Sequence, residues 1–255
     1  MTKKLGIIGV GHFASYLVEG FFNAAAENKI LLSPRSHDRS QLLAQKFNCE
    51  VAIDNQDVID RSDIIILAMK PKDLKSVIGD LNFTDKKLVI SVVAGSQLGT
   101  LSSCVAPATM VCALPISCAA INKSPTLMYP HQEDAFKILS QVGTVMSCTS
   151  QQEFNTAGTY SAFYGWNFKF MAELSKWGEK NGLSCDMSRK IVEQILMGVS
   201  GMSANESDIT LDDIIQNVAT KGGITELGLN IIEDQDAFHA WHDAMDAVHK
   251  RLSGK

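Results

Sequence analysis

The stretch Leu5-Gly-Ile-Ile-Gly-Val-Gly-His-Phe-Ala14 decides the fold of this chain. Its apolar run ends in glycine, and apolar residues then recur at helical spacing from Phe13 to Ala26, which predicts a strand, a tight turn and a helix. Gly9, Gly11 and Ala14 match the pattern G-x-G-x-x-A at that turn. The glycines allow the turn and the close approach of a pyrophosphate, and the alanine allows close helix packing. The pattern predicts a dinucleotide site, and a turn that binds nothing is the alternative.

The next strand ends in Leu32-Ser-Pro-Arg-Ser36, and this ending predicts which dinucleotide binds. Enzymes that use NAD place an acidic residue here for the ribose hydroxyl, whereas a 2′-phosphate needs cationic and hydroxyl partners. Asp38 comes several residues too late, so NADPH is expected rather than NADH. Arg35 offers a fork of donors to a phosphate, and Ser33, Ser36 and also Arg39 could add hydrogen bonds. A solvated, serine-rich loop is the alternative.

Short strands alternate with helices as far as about residue 150. This alternation predicts a parallel sheet covered by helices on both faces, in a dinucleotide-binding domain over residues 1–150. The strands are expected at 5–9, 29–33, 63–69, 87–93, 109–113, 126–129 and 144–147, with a helix at 133–140 before the last of them.

The second half, residues 151–255, is expected to be all helical. Phe154 to Asn181 predicts one long helix, apolar around most of its circumference and ended by the pair Asn181-Gly182. Further helices are predicted at 187–201, 210–218, 224–232 and 237–252. A helix with such a large apolar surface must be buried, and residues 151–255 are too few to bury it within one chain. We therefore expect a homodimer or a larger homo-oligomer, formed through these helices.

Composition limits the classes of function. The 23 Lys and Arg against 28 Asp and Glu leave a charge of −5, which disfavours nucleic acid or an anionic membrane as partner. Residues 88–122 carry no charge, but glycines and prolines interrupt them, so a spanning helix is not expected. The six cysteines form no C-x-x-C pair and suit a reducing cytoplasm. His239, His242 and His249 share one helix face with Asp246, but metal ligands usually converge from several elements, so no metal is expected.

Four stretches, taken in order, resemble the pyrroline-5-carboxylate reductase family, and the likeness covers essentially the whole chain. They are the glycine turn, Ala68-Met-Lys70-Pro71, Ile90-Ser-Val-Val-Ala94-Gly95 and Gly222-Gly-Ile-Thr225. The resemblance implies an α/β fold: an N-terminal Rossmann domain followed by an all-α dimerisation domain, with the active site between them. It also implies NADPH-dependent reduction of the cyclic imine pyrroline-5-carboxylate to L-proline, a step of proline biosynthesis.

The sequence motifs and the resemblance together give candidate roles to particular residues. Thr225, Lys70 and Tyr164 are the candidate catalytic residues. The cofactor-binding set is Gly9, Gly11, His12, Phe13, Ala14, Ser33, Arg35, Ser36, Ala68, Lys70, Pro71, Ala94 and Gly95. The substrate-binding set is Pro115, Ser161, Thr220, Gly222, Gly223 and Thr225.

The chain departs from the family on the substrate side. Cys112-Ala-Leu-Pro115-Ile116 stands where the family has Arg-x-Met-Pro-Asn, and Ser161-Ala-Phe-Tyr164-Gly-Trp166 replaces Gly-Ser-Gly-Pro-Ala-Tyr. Two alternatives therefore stay open: another imine or a hydroxyacid as substrate, and a sensor or scaffold that binds NADP without turnover. The beta-hydroxyacid dehydrogenases are disfavoured because the helical half lacks their K-x-x-N motif.

Overall fold

The computed structural model describes residues 3–25, 28–35, 37–95 and 97–253. The chain forms two compact units, the first comprising residues 1–158 with 251–255 and the second residues 159–250. The first unit thus extends past residue 150, where the sequence placed the end of the domain. The reason is Phe154, which is 2% exposed and packs with Cys112, Leu114 and Cys148 in a small core of the first unit.

One sheet of eight strands forms the centre of the described part of the first unit. The strands are β1 (Lys4–Ile8), β2 (Lys29–Leu32), β3 (Glu50–Val51), β4 (Ile64–Leu67), β5 (Leu88–Ser91), β6 (Thr109–Leu114), β7 (Ser124–Tyr129) and β8 (Gly143–Ser147). Their order is β3-β2-β1-β4-β5-β6-β7-β8. The chain therefore reverses its direction of winding beside β1, and in open sheets of this kind ligands bind at such a reversal.

The sheet is parallel except at one pair. β6 and β7 run antiparallel, with Ala113 opposite Met128, so the predicted parallel sheet contains one antiparallel pair. Residues 115–123 join these strands through a short 3-10 helix, Ser117–Ile121. A parallel crossover needs a dozen or more residues, so this connection is too short to bring β7 back in the same direction.

Helices cover both faces of the sheet, as expected. Those of the first unit are α1 (His12–Asn23), α2 (His37–Phe47), α3 (Asn55–Arg61), α4 (Leu74–Ile78), α5 (Leu98–Val105), α6 (Glu133–Leu139) and α7 (Gln151–Gly158). Successive residues of β4 point to opposite faces. Ile64 and Ile66 lie in one hydrophobic core, and Ile65 and Leu67 lie in the other.

The second unit is helical in its described residues. Its helices are α8 (Tyr160–Lys180), α9 (Cys185–Asn205), α10 (Leu211–Val218), α11 (Ile224–Asp234) and α12 (Ala237–Leu252), the last of which runs on into residues grouped with the first unit. The single helix predicted over 154–181 is wrong, because α7 and α8 are separate. At the break Ala162 donates to the carbonyl of Thr159, three residues back, and this tightens the chain. The predicted end of α8 is confirmed, since Gly182 has φ +95°.

Many apolar side chains of the second unit are exposed in the single chain. Phe168 and Trp177 on α8 are 58% and 67% exposed, Met197 on α9 is 67% exposed, and Ile224 on α11 is 90% exposed. An isolated chain rarely leaves so many large apolar groups in water. None of the described helices is long and apolar enough to cross a membrane.

Candidate active site

The glycine turn lies between the carboxyl end of β1 and the first turn of α1. Gly9 has φ +96°, and a Cβ atom there would lie 2.8 Å from the carbonyl carbon and oxygen of Ala68. Gly11 donates to the Gly9 carbonyl at 2.9 Å and is the N-cap of α1. An ideal Cβ on Gly11 would meet nothing within 4 Å. The turn thus holds open space against the positive end of a helix, which is the geometry that binds a pyrophosphate.

The side chains that follow the turn face different environments. His12 is exposed at the start of α1, Phe13 is partly buried against the core, and Ala14 is fully buried. His12 therefore lies beside the open space, whereas Ala14 lets α1 pack closely on the sheet, as the motif requires.

Ser33 and Arg35 differ in their surroundings, although the sequence assigned both to a phosphate. Ser33 is fully buried, and its Oγ accepts a hydrogen bond from Gly9 N at 3.2 Å. Arg35 is exposed just beyond the end of β2. The Arg35 side chain is therefore open to solvent, while the Ser33 hydroxyl is engaged beneath the turn. Ser36 lies outside the described residues.

The ends of β4 and β5 form the neighbouring part of the same sheet edge. Ala68 follows β4, and Lys70 is exposed and precedes the 3-10 helix Pro71–Asp73. Ala94 and Gly95 follow β5 and are exposed, and Gly95 has φ +76°. A cavity of about 230 Å³ lies here, lined in part by Pro71, Ala94 and Gly95 together with Lys72, Lys75 and Gln97. The structure therefore brings the predicted cofactor residues of β1, β2, β4 and β5 to one edge of the sheet.

Cys112 and Ile116 stand where the family has arginine and asparagine. Cys112 on β6 is fully buried, and burial raises the pKa of its thiol to about 12. Pro115 is buried, and Ile116 is partly buried and donates its N–H to Ser124 Oγ at 2.9 Å. An uncharged, buried thiol cannot bind an anion as a guanidinium does. This segment therefore shapes the sheet edge without offering a charge.

Ser161 and Tyr164 lie on the first turns of α8 and are both partly buried. The Tyr164 ring packs edge to face against Phe168, with centroids 5.1 Å apart. The neighbouring Phe163, Trp166 and Phe170 instead pack on Trp241 of α12. Three aromatic residues of α8 thus pack α8 against α12.

The loop before α11 holds the remaining predicted substrate residues. Gly222 has φ +76° and donates its N–H to Glu226 Oε2 at 2.7 Å. The N–H of Gly223 donates to the Thr220 carbonyl at 2.8 Å. The N–H groups of both glycines, which belong to the predicted substrate-binding set, are thus engaged by Glu226 and Thr220. The donors that helix geometry leaves for a ligand are those of the first turn of α11, where Thr225 is exposed.

The sequence analysis missed the hydrogen bond by which Glu226, on the first turn of α11, holds this loop. Its position three residues after the N-cap Gly223 is the signal, because an acidic residue there often reaches back to a backbone N–H. Among the described residues, no group of three or more His, Cys, Asp or Glu is arranged to hold a metal ion.

Two family profiles match the chain. The family described as "NADP oxidoreductase coenzyme F420-dependent" matches residues 4–95, and "Pyrroline-5-carboxylate reductase dimerisation" matches residues 154–254. The pyrroline-5-carboxylate reductase of Pasteurella multocida (strain Pm70) is 25% identical over 268 residues, which cover 98% of this chain and 96% of that protein.

Solved structures share the fold over the whole length. The 1-pyrroline-5-carboxylate reductase of Streptococcus pyogenes superposes with a TM-score of 0.87 at 24% identity, covering 100% of this chain and 99% of that one. The Plasmodium falciparum pyrroline carboxylate reductase, solved with NADP bound, gives 0.88 at 23% identity, covering 99% and 97%. The second half of the chain thus carries a pyrroline-5-carboxylate reductase dimerisation domain, and the whole chain is similar end to end to pyrroline-5-carboxylate reductases.

Proposed function

We propose that this protein is an NADPH-dependent reductase of a cyclic imine carboxylate, and that its substrate is pyrroline-5-carboxylate and its product L-proline. The observation that carries the proposal is the glycine turn, whose Gly11 leaves open space before the N-terminus of α1. Similarity to pyrroline-5-carboxylate reductases over the whole chain supports the choice of reaction.

The residues of the first unit fit the cofactor. The first turn of α1, at His12 and Phe13, offers N–H groups and the positive end of a dipole to the pyrophosphate. Ala68, Lys70, Pro71, Ala94 and Gly95 are proposed to line the nicotinamide, because they follow β4 and β5 at the edge where ligands bind. The bound cofactor supplies a hydride, and the chain contributes mainly orientation, which alone lowers a barrier substantially.

Arg35 is proposed to select NADPH over NADH. An exposed guanidinium at the end of β2 forms charge-assisted hydrogen bonds with a 2′-phosphate, and NADH lacks that group. We expect Arg35→Gln to weaken NADPH binding about 10- to 100-fold and to leave NADH binding within about twofold. Titration of the protein with each nucleotide gives the two dissociation constants, and their ratio is the selectivity for NADPH over NADH. An equal loss for NADPH and NADH would contradict the assignment. Lys29→Gln is the control for removing a positive charge, because Lys29 is exposed at the opposite end of β2.

The loop before α11 is proposed to bind the carboxylate of the substrate. The first-turn N–H groups of α11 and the Thr225 hydroxyl are suitable donors, and Lys221 adds a positive charge beside them. The nitrogen of the reduced ring takes its proton from solvent or from a nearby hydroxyl, for which Tyr164 is the candidate. Lys70 is proposed as a cation near the nicotinamide.

The carboxylate is what distinguishes the proposed substrate from a plain ring. We expect kcat/KM for 1-pyrroline, which has the same ring without the carboxylate, to be at least about 100-fold below that for pyrroline-5-carboxylate. Rates of NADPH consumption give both constants. Equal constants would show that the loop before α11 does not bind the carboxylate.

The exposed apolar faces of the second unit support a homodimer or a larger homo-oligomer formed through these helices. A mass in solution of at least twice 27.8 kDa is expected from light scattering. The free cysteines support a reducing, cytoplasmic location. The acidic net charge supports the expectation that nucleic acid is not a partner.

A further inference from the structure

Ser33 connects three parts of the cofactor-binding edge. Its N–H donates to the Ile7 carbonyl at 2.9 Å, as the parallel pairing of β1 with β2 requires. Its carbonyl accepts from Ser40 Oγ on α2 at 2.8 Å, and its hydroxyl accepts from Gly9 N at 3.2 Å. Ser33 and Ser40 are both fully buried. A buried serine with all of its polar groups engaged this way has a defined structural task.

The Ser33 hydroxyl takes the place of a backbone hydrogen bond that the parallel ladder does not form at Gly9. If the parallel ladder continued past Ile7, Gly9 would donate to the carbonyl of Ser33. That carbonyl instead bonds to Ser40, and the chain turns away at Gly9 with φ +96°. The side chain of Ser33 therefore supplies the acceptor for the N–H of Gly9 at the point where β1 becomes the turn.

We propose that Ser33 is a positioning residue, which fixes the glycine turn for the pyrophosphate through the bond from Gly9 N to its hydroxyl and does not contact the 2′-phosphate. Two observations carry this assignment: the buried hydroxyl already bonded to Gly9, and the exposed Arg35 two residues later. NADPH and NADH share the pyrophosphate, so Ser33 contributes equally to binding of both. The assignment rests on the proposed function, because it concerns the same cofactor.

The test combines cofactor affinity with hydrogen exchange in Ser33→Ala. We expect the dissociation constants of NADPH and NADH to rise by the same factor, about tenfold, so that their ratio is unchanged. Amide hydrogen exchange in a peptide covering residues 5–14 should become faster in the protein without nucleotide. Ser40→Ala is the matched control, because it also removes a buried hydroxyl of this network yet leaves the bond to Gly9. We expect a comparable loss of thermal stability from it and a much smaller change in both dissociation constants.

Three results with Ser33→Ala would overturn the assignment. A loss confined to NADPH would show that Ser33 contacts the 2′-phosphate. Unchanged binding of both nucleotides, or unchanged exchange over residues 5–14, would show that the hydroxyl does not fix the turn. If the unaltered protein bound neither nucleotide, the proposed function would fail and this assignment with it, so the two failures are distinguishable.

Discussion

The substitution Gly20→Ala is expected to lower the free energy of unfolding by about 3–5 kcal/mol, because the added methyl group has no room. An ideal Cβ on Gly20 lies 2.2 Å from the carbonyl oxygen of Ala119 and 3.0 Å from Cγ1 of Val142. Backbone cannot rotate aside as a side chain can, so α1 must move away from the 3-10 helix Ser117–Ile121. That movement also disturbs the hydrogen bond from Asn122 Nδ2 to the Gly20 carbonyl, which is 2.8 Å long.

Thermal unfolding measures this effect, and a decrease in Tm of roughly 10 °C or more is expected for a unit of this size. Gly99→Ala is the control, because Gly99 lies in a helix and no heavy atom lies within 4 Å of its ideal Cβ. Alanine favours a helix over glycine, so the control should keep its Tm or gain slightly. Equal Tm values for both variants would contradict the close packing of α1 on Ala119.

A second large effect is expected from Gly11→Ala, which should abolish tight cofactor binding without unfolding the protein. Gly11 has φ −92°, which alanine adopts, and its ideal Cβ meets nothing within 4 Å. The free energy of unfolding should therefore change by no more than about 1 kcal/mol, the scale of an N-cap substitution. The methyl group would fill the space that the pyrophosphate needs, and NADPH binding should weaken about 100-fold.

Titration with NADPH and thermal unfolding of the same sample separate the two effects. Gly9→Ala is a useful contrast, because its φ of +96° and the 2.8 Å approach to Ala68 predict damage to the turn itself. Undiminished NADPH binding by a folded Gly11→Ala variant would mean that the pyrophosphate does not pass over this residue.

The positions of β1, β2, β4 and β5 could be predicted, because buried parallel strands read as continuous apolar runs, such as Ile64–Leu67. The two-residue β3 was not predicted. The direction of β7 could not be predicted from its residues, because an apolar run does not indicate whether a strand is parallel or antiparallel. The only indication in the sequence is the short connection, residues 115–123. The break at Thr159 was also missed. Helical spacing of apolar residues continues across it, and the change lies in a single hydrogen bond.

The site was predictable where a residue acts through its local conformation. The turn at Gly9 and Gly11 could be predicted from the motif. In the same way, outside the site, the positive φ of Gly182 could be predicted from its place after a helix. Ser33 was assigned to the phosphate because its type and position suited that role. Its bond to Gly9, a residue 24 positions away in sequence, depends on the register between β1 and β2. No local pattern encodes that register.

The proposed reaction is tested most directly by incubating the purified protein with NADPH and pyrroline-5-carboxylate and quantifying L-proline by chiral chromatography. We expect one L-proline formed for each NADPH oxidised, with little product from NADH. Tight binding of NADPH without any proline would contradict it. That result would show that the departures at Cys112 and Ile116 have removed this reaction, and it would favour another substrate or a role in binding alone.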